Sequence, residues 1–312
     1  MDDLTIDCQG LHKRFDTATV GPIHFEVRPG EVFGLLGPDG VGKTTTMRML
    51  LGILPPTSGE AKVLGFRVTD QSESIKREIG YMSQRFALYG DLTVAENISF
   101  YSDLFQVPLR ERPERTRKLL EASRLTPFTS RQAQNLSGGM KQKLALVCAL
   151  IHTPRLLLLD EPTTGVDPVS RRDFWQILNG LVRDGLTLVV STPYMDEADR
   201  CHRIALMHQG RILLTDTPDE IRKKMHGVVL EVQGVSQEET RSILQNLDGV
   251  KSAESFGERV HIVVDSPDQI ELIRDALQRN HLPSDTLHQI TPGLEDVFIS
   301  LLMSGEDANH AE

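Results

Sequence analysis

The chain has 312 residues, room for roughly two domains at about 150 residues each, with 39% hydrophobic and 25% charged residues, an ordinary globular composition. A formal net charge of -10 argues against a dedicated nucleic-acid binder, which presents a basic face. No apolar run approaches the ~20 residues needed to cross a bilayer, and the first residues, MDDLTID, carry acids where a secretory leader has bases.

In chain order, residues 4–11 (LTIDCQGL) alternate apolar and polar and predict a half-exposed strand, followed by a second strand over 23–27. The turn Pro29-Gly30 leads into 31–36, a short apolar run that predicts a buried strand. Six residues of glycine-rich loop follow, and Lys43-Thr44-Thr45 opens a helix running through Leu50. Strands are predicted at 60–64 and 79–84. Between about 92 and 151 the spacing turns helical, over 93–104, 112–123 and 139–151, with Pro108, Pro113 and Pro127 between the segments. This predicts a helical insert at about 88–152. Strand signal returns at 155–160, then a helix over 170–182 and strands at 186–191, 204–207 and 211–215. That alternation predicts an α/β fold with a largely parallel sheet covered on its faces.

Past Met225 the order changes to strand 228–232, helix 238–247, strands 250–256 and 260–264, helix 269–278 and strand 286–290. This β-α-β-β-α-β order is ferredoxin-like. Residues 292–302 read as a closing amphipathic helix, with Leu294, Val297, Phe298, Leu301 and Leu302 on one face. The expected division is therefore 1–226, an accessory α+β domain over 227–303, and a polar, acidic, disordered end over 304–312. Cys8, Cys148 and Cys201 are scattered and have no metal-ligand spacing, so they read as reduced thiols of a cytoplasmic protein.

The chemistry gathers on the loop Gly37-Pro38-Asp39-Gly40-Val41-Gly42-Lys43-Thr44-Thr45. It is a G-x-x-x-x-G-K-[ST] pattern between a predicted strand and a predicted helix. Glycines let backbone N–H groups converge on phosphate oxygens, and the helix start adds unpaired N–H groups and a positive dipole end. Lys43 can reach β- and γ-phosphates, and the Thr44 hydroxyl can ligate Mg²⁺. The bland alternative, a glycine turn with a solvated lysine, fits the flanks poorly. The strand at 156–160 ends in Asp160 and Glu161, one carboxylate for the cation and one to orient or deprotonate water. Leu136-Ser137-Gly138-Gly139-Met140 opens a helix and reads as an N-cap or as a second phosphate-binding helix end.

The phosphate loop, Gln84 at a strand end, LSGGM, LLLLDEP and Gly165-Val166-Asp167, in this order, resemble an ATP-binding cassette (ABC) ATPase over residues 4 to about 225. The resemblance implies a P-loop NTPase fold, with Phe15 stacking on adenine and 37–45 holding the phosphates of ATP. Thr44, Gln84 and Asp160 would surround Mg²⁺ and the attacking water, with Lys43, Gln84 and Glu161 catalytic. Ser137, Gly138 and Gly139 would cover the γ-phosphate bound by a second cassette, and Asp167 would link the two sites. The ending Thr291-Pro292-Gly293-Leu294-Glu295-Asp296-Val297-Phe298 resembles cassettes serving ABC-2-type exporters, and 85–89 resemble the groove that receives a helix of the membrane subunit. Partners implied are transmembrane permease subunits and a second cassette, identical or different, with no nucleic acid. The chain would sit on the cytoplasmic face of the membrane. Three departures stand out. Asp39 replaces the usual Asn, Met140 the usual Gln, and Pro193 a His that contacts the γ-phosphate. Either turnover falls with the lost imidazole, or the strand end tolerates proline and water substitutes for the ring. Two other classes remain at this stage, a hydrolysis-impaired ATP-binding partner and a soluble cassette acting on ribosomes or DNA.

Overall fold

The computed structural model describes residues 4–84, 88–225, 227–233, 236–245 and 247–309, the last seven of these in backbone only. The chain divides into two compact units, 1–216 and 217–312.

The first unit opens with β1 (Ile6–Arg14), β2 (Thr19–Val27) and β3 (Val32–Leu36), then α1 (Lys43–Leu50), β4 (Ser58–Val63), β5 (Phe66–Arg67), α2 (Ser72–Glu78) and β6 (Ile79–Met82). The insert follows as α3 (Val94–Leu104), α4 (Arg112–Ser123) and α5 (Gly138–Leu150). The chain then returns through β7 (Leu156–Asp160), α6 (Pro168–Arg183), β8 (Thr187–Thr192), β9 (Arg203–His208) and β10 (Arg211–Asp216). Six strands form one sheet in the order β10-β9-β3-β8-β7-β6, with β9, β3, β8, β7 and β6 parallel and β10 antiparallel at one edge. The expected parallel sheet is thus present. β3 and β7 are buried at every position, as strands covered on both faces must be, which explains their unbroken apolar runs VFGLL and LLLLD.

β1, β2, β4 and β5 stand apart in an antiparallel sheet of order β2-β1-β4-β5. Along β2, Ile23, Phe25 and Val27 are buried while Pro22, His24 and Glu26 are exposed, because one face packs inward and the other meets water. The insert has its own core of Val94, Ile98, Val107, Leu144, Val147 and Cys148. α3 starts on a reciprocal cap: the Thr93 side chain accepts from the Glu96 N–H and the Glu96 carboxylate accepts from the Thr93 N–H.

The second unit comprises α7 (Pro218–Arg222), β11 (Val228–Gln233), α8 (Gln237–Leu244), β12 (Val250–Phe256), β13 (Arg259–Val264), α9 (Ile270–Arg279), β14 (His288–Ile290) and α10 (Leu294–Asn309). Its antiparallel sheet runs β12-β13-β11-β14, the ferredoxin-like order anticipated above. The sequence reading set the division after residue 226, whereas α7 groups with this second unit. It also ended ordered structure at 303, whereas α10 continues to Asn309; residues 310–312 lie outside the described residues.

Among the described residues no helix is long and apolar enough to cross a membrane. No group of His, Cys, Asp and Glu there is arranged to hold a metal ion by itself.

Candidate functional site

Four neighbouring parallel strands, β3, β8, β7 and β6, deliver their carboxyl ends to one edge of the first unit's sheet, where open α/β sheets bind ligands. β3 runs into the phosphate loop, β8 ends at Thr192, β7 at Asp160, and Gln84 follows β6.

The loop needs glycine where the backbone comes close to its neighbours. A Cβ on Gly37 would lie 2.5 Å from the Met207 carbonyl oxygen, and one on Gly42 would lie 2.9 Å from the Val20 side chain, with φ at +106°. Gly42 is also the N-cap of α1, so no side chain closes the free N–H groups at that helix start. Lys43 is buried, and its Nζ donates to the carbonyls of Gly37 (2.8 Å) and Pro38 (2.9 Å) and pairs with Glu161 Oε1 at 3.1 Å. The Asp39 side chain is 84% exposed, and its Oδ1 lies 3.8 Å from the buried Lys43 Nζ, so its charge stands at the loop's solvent side beside that lysine.

Asp160 and Glu161 both face the first turn of α1. The Thr44 hydroxyl donates to Asp160 Oδ1 at 3.0 Å, and the Ser191 hydroxyl donates to the same oxygen at 2.7 Å. Asp160 Oδ2 is buried and has no hydrogen-bond partner among the described residues. A buried carboxylate oxygen beside a threonine hydroxyl at a phosphate loop fits a hard divalent cation such as Mg²⁺. Burial, and then the charge of Asp160, push the nearby Tyr81 phenol up to about 12, so it stays protonated.

Glu161 is held in the left-handed region, with φ at +50°. Its N–H donates to the Ser191 carbonyl (3.1 Å) and hydroxyl (3.0 Å). Its Oε2 accepts from Gln84 Nε2 at 3.0 Å and from the Thr164 hydroxyl at 3.4 Å. Lys43, Thr44, Gln84, Asp160 and Glu161 are therefore brought together. Ser191 and Thr164 belong with them and were missed by the sequence reading. The available signal was a hydroxyl residue closing the apolar strand LVVS, which the parallel register sets opposite Asp160.

The remaining expected residues lie apart from this group. Phe15 is 41% exposed, with Lys13 Nζ 6.0 Å from its ring centre. Ser137 caps α5 and accepts from the Met140 N–H at 3.3 Å. A Cβ on Gly139 would meet Ser170 at 2.6 Å, whereas one on Gly138 would meet nothing. Asp167 caps α6, accepting from the Ser170 N–H at 2.9 Å, and the Ser170 hydroxyl and N–H hold its carboxyl below the usual range. After β8, Pro193 sits in a turn closed by the Tyr194 N–H donating to Thr192 Oγ1. Met140 is half-buried and packs on the core of the insert. Of the expected membrane-subunit groove, residues 85–87 lie outside the described residues; Tyr89 is 43% exposed and meets Phe100 edge-on at 4.6 Å.

Comparison with known proteins fits this geometry. Residues 20–164 match the family described as "ABC transporter", and residues 217–302 the family "ATP-binding protein DrrA1-3-like, C-terminal domain". The chain is 41% identical over 308 residues to the probable multidrug ABC transporter ATP-binding protein YbhF of Escherichia coli (strain K12), covering 97% of this chain and 53% of that one. It thus spans about half the length of that relative. It is 37% identical to the Nod factor export ATP-binding protein I of Rhizobium etli, covering 95% of this chain and 92% of that one. Among solved structures, an ATP-binding subunit of an ABC transporter superposes with a TM-score of 0.64 at 29% identity, covering 70% of this chain and 92% of that one. A dimeric ATP-binding cassette in a post-hydrolysis state, bound to ADP and Pi, gives 0.61 at 26% identity, with 68% and 98% covered. From its phosphate loop to its C-terminal unit, the chain belongs to the family of ABC transporter ATP-binding proteins.

Proposed function

We propose that this chain binds ATP with Mg²⁺ and hydrolyses it as the ATP-binding subunit of an exporter whose membrane-spanning permease, of the ABC-2 type, is provided by other polypeptide. The observation that carries this reading is the convergence of two adjacent carboxylates on one helix start: Asp160 on Thr44, and Glu161 on Lys43. Glycine-loop N–H groups and Lys43 would bind the β- and γ-phosphates, and Phe15 would stack on adenine. Thr44, Asp160 and Gln84 would hold Mg²⁺, which when bound neutralises charge developing on the phosphates. Glu161, kept in place by Ser191, Gln84 and Thr164, would orient the attacking water and accept its proton.

The exposed N-caps Ser137 and Asp167 suit contact with a second cassette, identical or different, so that ATP joins the two head-to-tail. The dimeric form named for one structural relative supports this pairing. The names of the relatives, one for multidrug transport and one for Nod factor export, support export as the direction of transport. Acidic charge and the export relatives favour a place on the cytoplasmic membrane face over ribosomes or DNA.

Glu161→Gln tests the reading: ATP affinity stays within about twofold while turnover falls by at least about 10². Unchanged turnover would remove Glu161 from the chemistry. Pro193 provides no imidazole toward the γ-phosphate, which slows turnover by up to about 10²–10³. In the same assay Pro193→His raises the rate; an unchanged rate means that water replaces the ring.

A further inference from the structure

Behind the site, and untouched by the roles above, lies a carboxylate with no exposed surface at all. Glu197 sits in the 3-10 turn Met195–Arg200 that follows β8 and is 0% exposed. Its Oε1 accepts from the Thr163 hydroxyl at 2.7 Å and from the Trp175 indole N–H at 3.0 Å. Arg171 Nε is 3.8 Å from the same oxygen, while its guanidinium lies 4.2 Å from the ring centre of Tyr194. A buried carboxylate is costly unless donors and a cation converge on it. Two separate elements supply them to Oε1 here, the segment after β7 through Thr163 and helix α6 through Trp175 and Arg171, and so tie both to the turn after β8; Oε2 is buried with no hydrogen-bond partner among the described residues.

Thr163 lies two residues beyond Glu161. Its carbonyl accepts from the Val166 N–H at 3.1 Å, and its neighbour Thr164 donates to Glu161 both through the backbone (3.3 Å to the carbonyl) and through the hydroxyl. Glu161 itself occupies a left-handed backbone conformation that persists only while its surroundings hold it. Fixing the Thr163 side chain therefore fixes the turn that carries Thr164 and, through it, the Glu161 carboxylate.

We infer that Glu197 is a positioning residue for hydrolysis: by anchoring Thr163 it holds the segment 161–167 in the form that aims Glu161. This rests on the ATPase reading above. It predicts a separation of turnover from binding, since Glu197 touches neither the phosphate loop nor Asp160 in any hydrogen bond described.

The test uses the full chain with Thr163→Val, which removes the hydroxyl and keeps the volume, Glu197→Leu, Glu197→Gln and the Thr163→Val/Glu197→Leu double variant. Readouts are ATP turnover, ATP affinity and amide hydrogen exchange over 161–167. Thr163→Val and Glu197→Leu each lower turnover by about tenfold, the scale of one lost buried hydrogen bond. ATP affinity stays within about twofold, and exchange over 161–167 speeds up. The double variant is no slower than the slower single, because both remove one interaction. Glu197→Gln, which keeps the acceptor oxygen, recovers turnover toward the wild-type rate. Thr163→Val that folds with wild-type turnover and exchange overturns the inference, as do losses that multiply in the double variant. Should Glu197→Leu fail to fold, Thr163→Val decides alone. Wild-type chain that binds no ATP would instead overturn the ATPase reading, while the exchange readout still reports whether Glu197 anchors 161–167.

Discussion

Two pairs of buried carboxylates, Asp160 and Glu161 in the first unit and Glu231 and Asp296 in the second, are treated differently. In the second unit's pair both oxygens of each carboxylate have a partner. Glu231 accepts from Gln233 on one oxygen and from Arg259 (3.0 Å) and His261 (3.3 Å) on the other. Asp296 meets His261 Nδ1 at 2.8 Å with one oxygen and the Gly293 N–H at 2.7 Å with the other. In the first unit Asp160 keeps one buried oxygen unmatched, and Glu161 is held in a strained backbone conformation. A closed network stabilises the fold that contains it. An incomplete one is sustained by the rest of the fold and is suited to a ligand.

Asp160→Asn breaks the comparison most sharply. It lowers Mg²⁺-dependent ATP turnover by about 10² or more, yet the ligand-free chain unfolds at the same temperature or higher, because an unmatched buried charge is gone. Thermal melts with and without Mg²⁺ and ATP read both effects; a large loss of ligand-free stability would show that Asp160 is structural. Asp296→Ala is the mirror case. It leaves His261 Nδ1 and the Gly293 N–H without their acceptor and destabilises the second unit by about 2–3 kcal/mol in urea titration. ATP affinity is unaltered, and a change in it would show that the units communicate.

The smallest effect is a pH dependence. Burial works against the charged form of His261, but Asp296 and then Glu231 outweigh it and raise its pKa above the usual histidine value. Against burial, hydrogen bonds from Gln233, then Arg259 and His261, hold Glu231 below the usual carboxylate range. A raised pKa means that the native state binds the proton more tightly than the unfolded chain. The His261 contribution is therefore complete below about pH 6.5 and is lost as pH rises through the raised native value. The stability difference between wild type and His261→Gln should shrink over that alkaline interval. A difference that is flat in pH would mean that His261 acts only by packing.

The frame of this molecule was legible because strong local patterns agreed with the tertiary result. Unbroken apolar runs marked β3 and β7, helical spacing marked α3, α4 and α5, and the alternating second unit folded in its expected strand order. What escaped was set by contacts distant in sequence. The antiparallel grouping of β1, β2, β4 and β5 depends on pairings such as Ile6 with Val63, which no local window contains. α2 is a short polar helix with only Ile75 buried, too little apolar periodicity to announce itself. Ser191 matters only because the β7–β8 register brings it to Asp160.

The left-handed φ of Glu161 has one more consequence. In a continuing strand, adjacent side chains leave on opposite faces, so Asp160 and Glu161 would part company. The break at Glu161 turns both toward α1, at a local cost of about 1–3 kcal/mol. Local energetics at this position favour glycine or asparagine, neither of which can do the work of a carboxylate. A glutamate held there at that cost fits the catalytic role proposed for it.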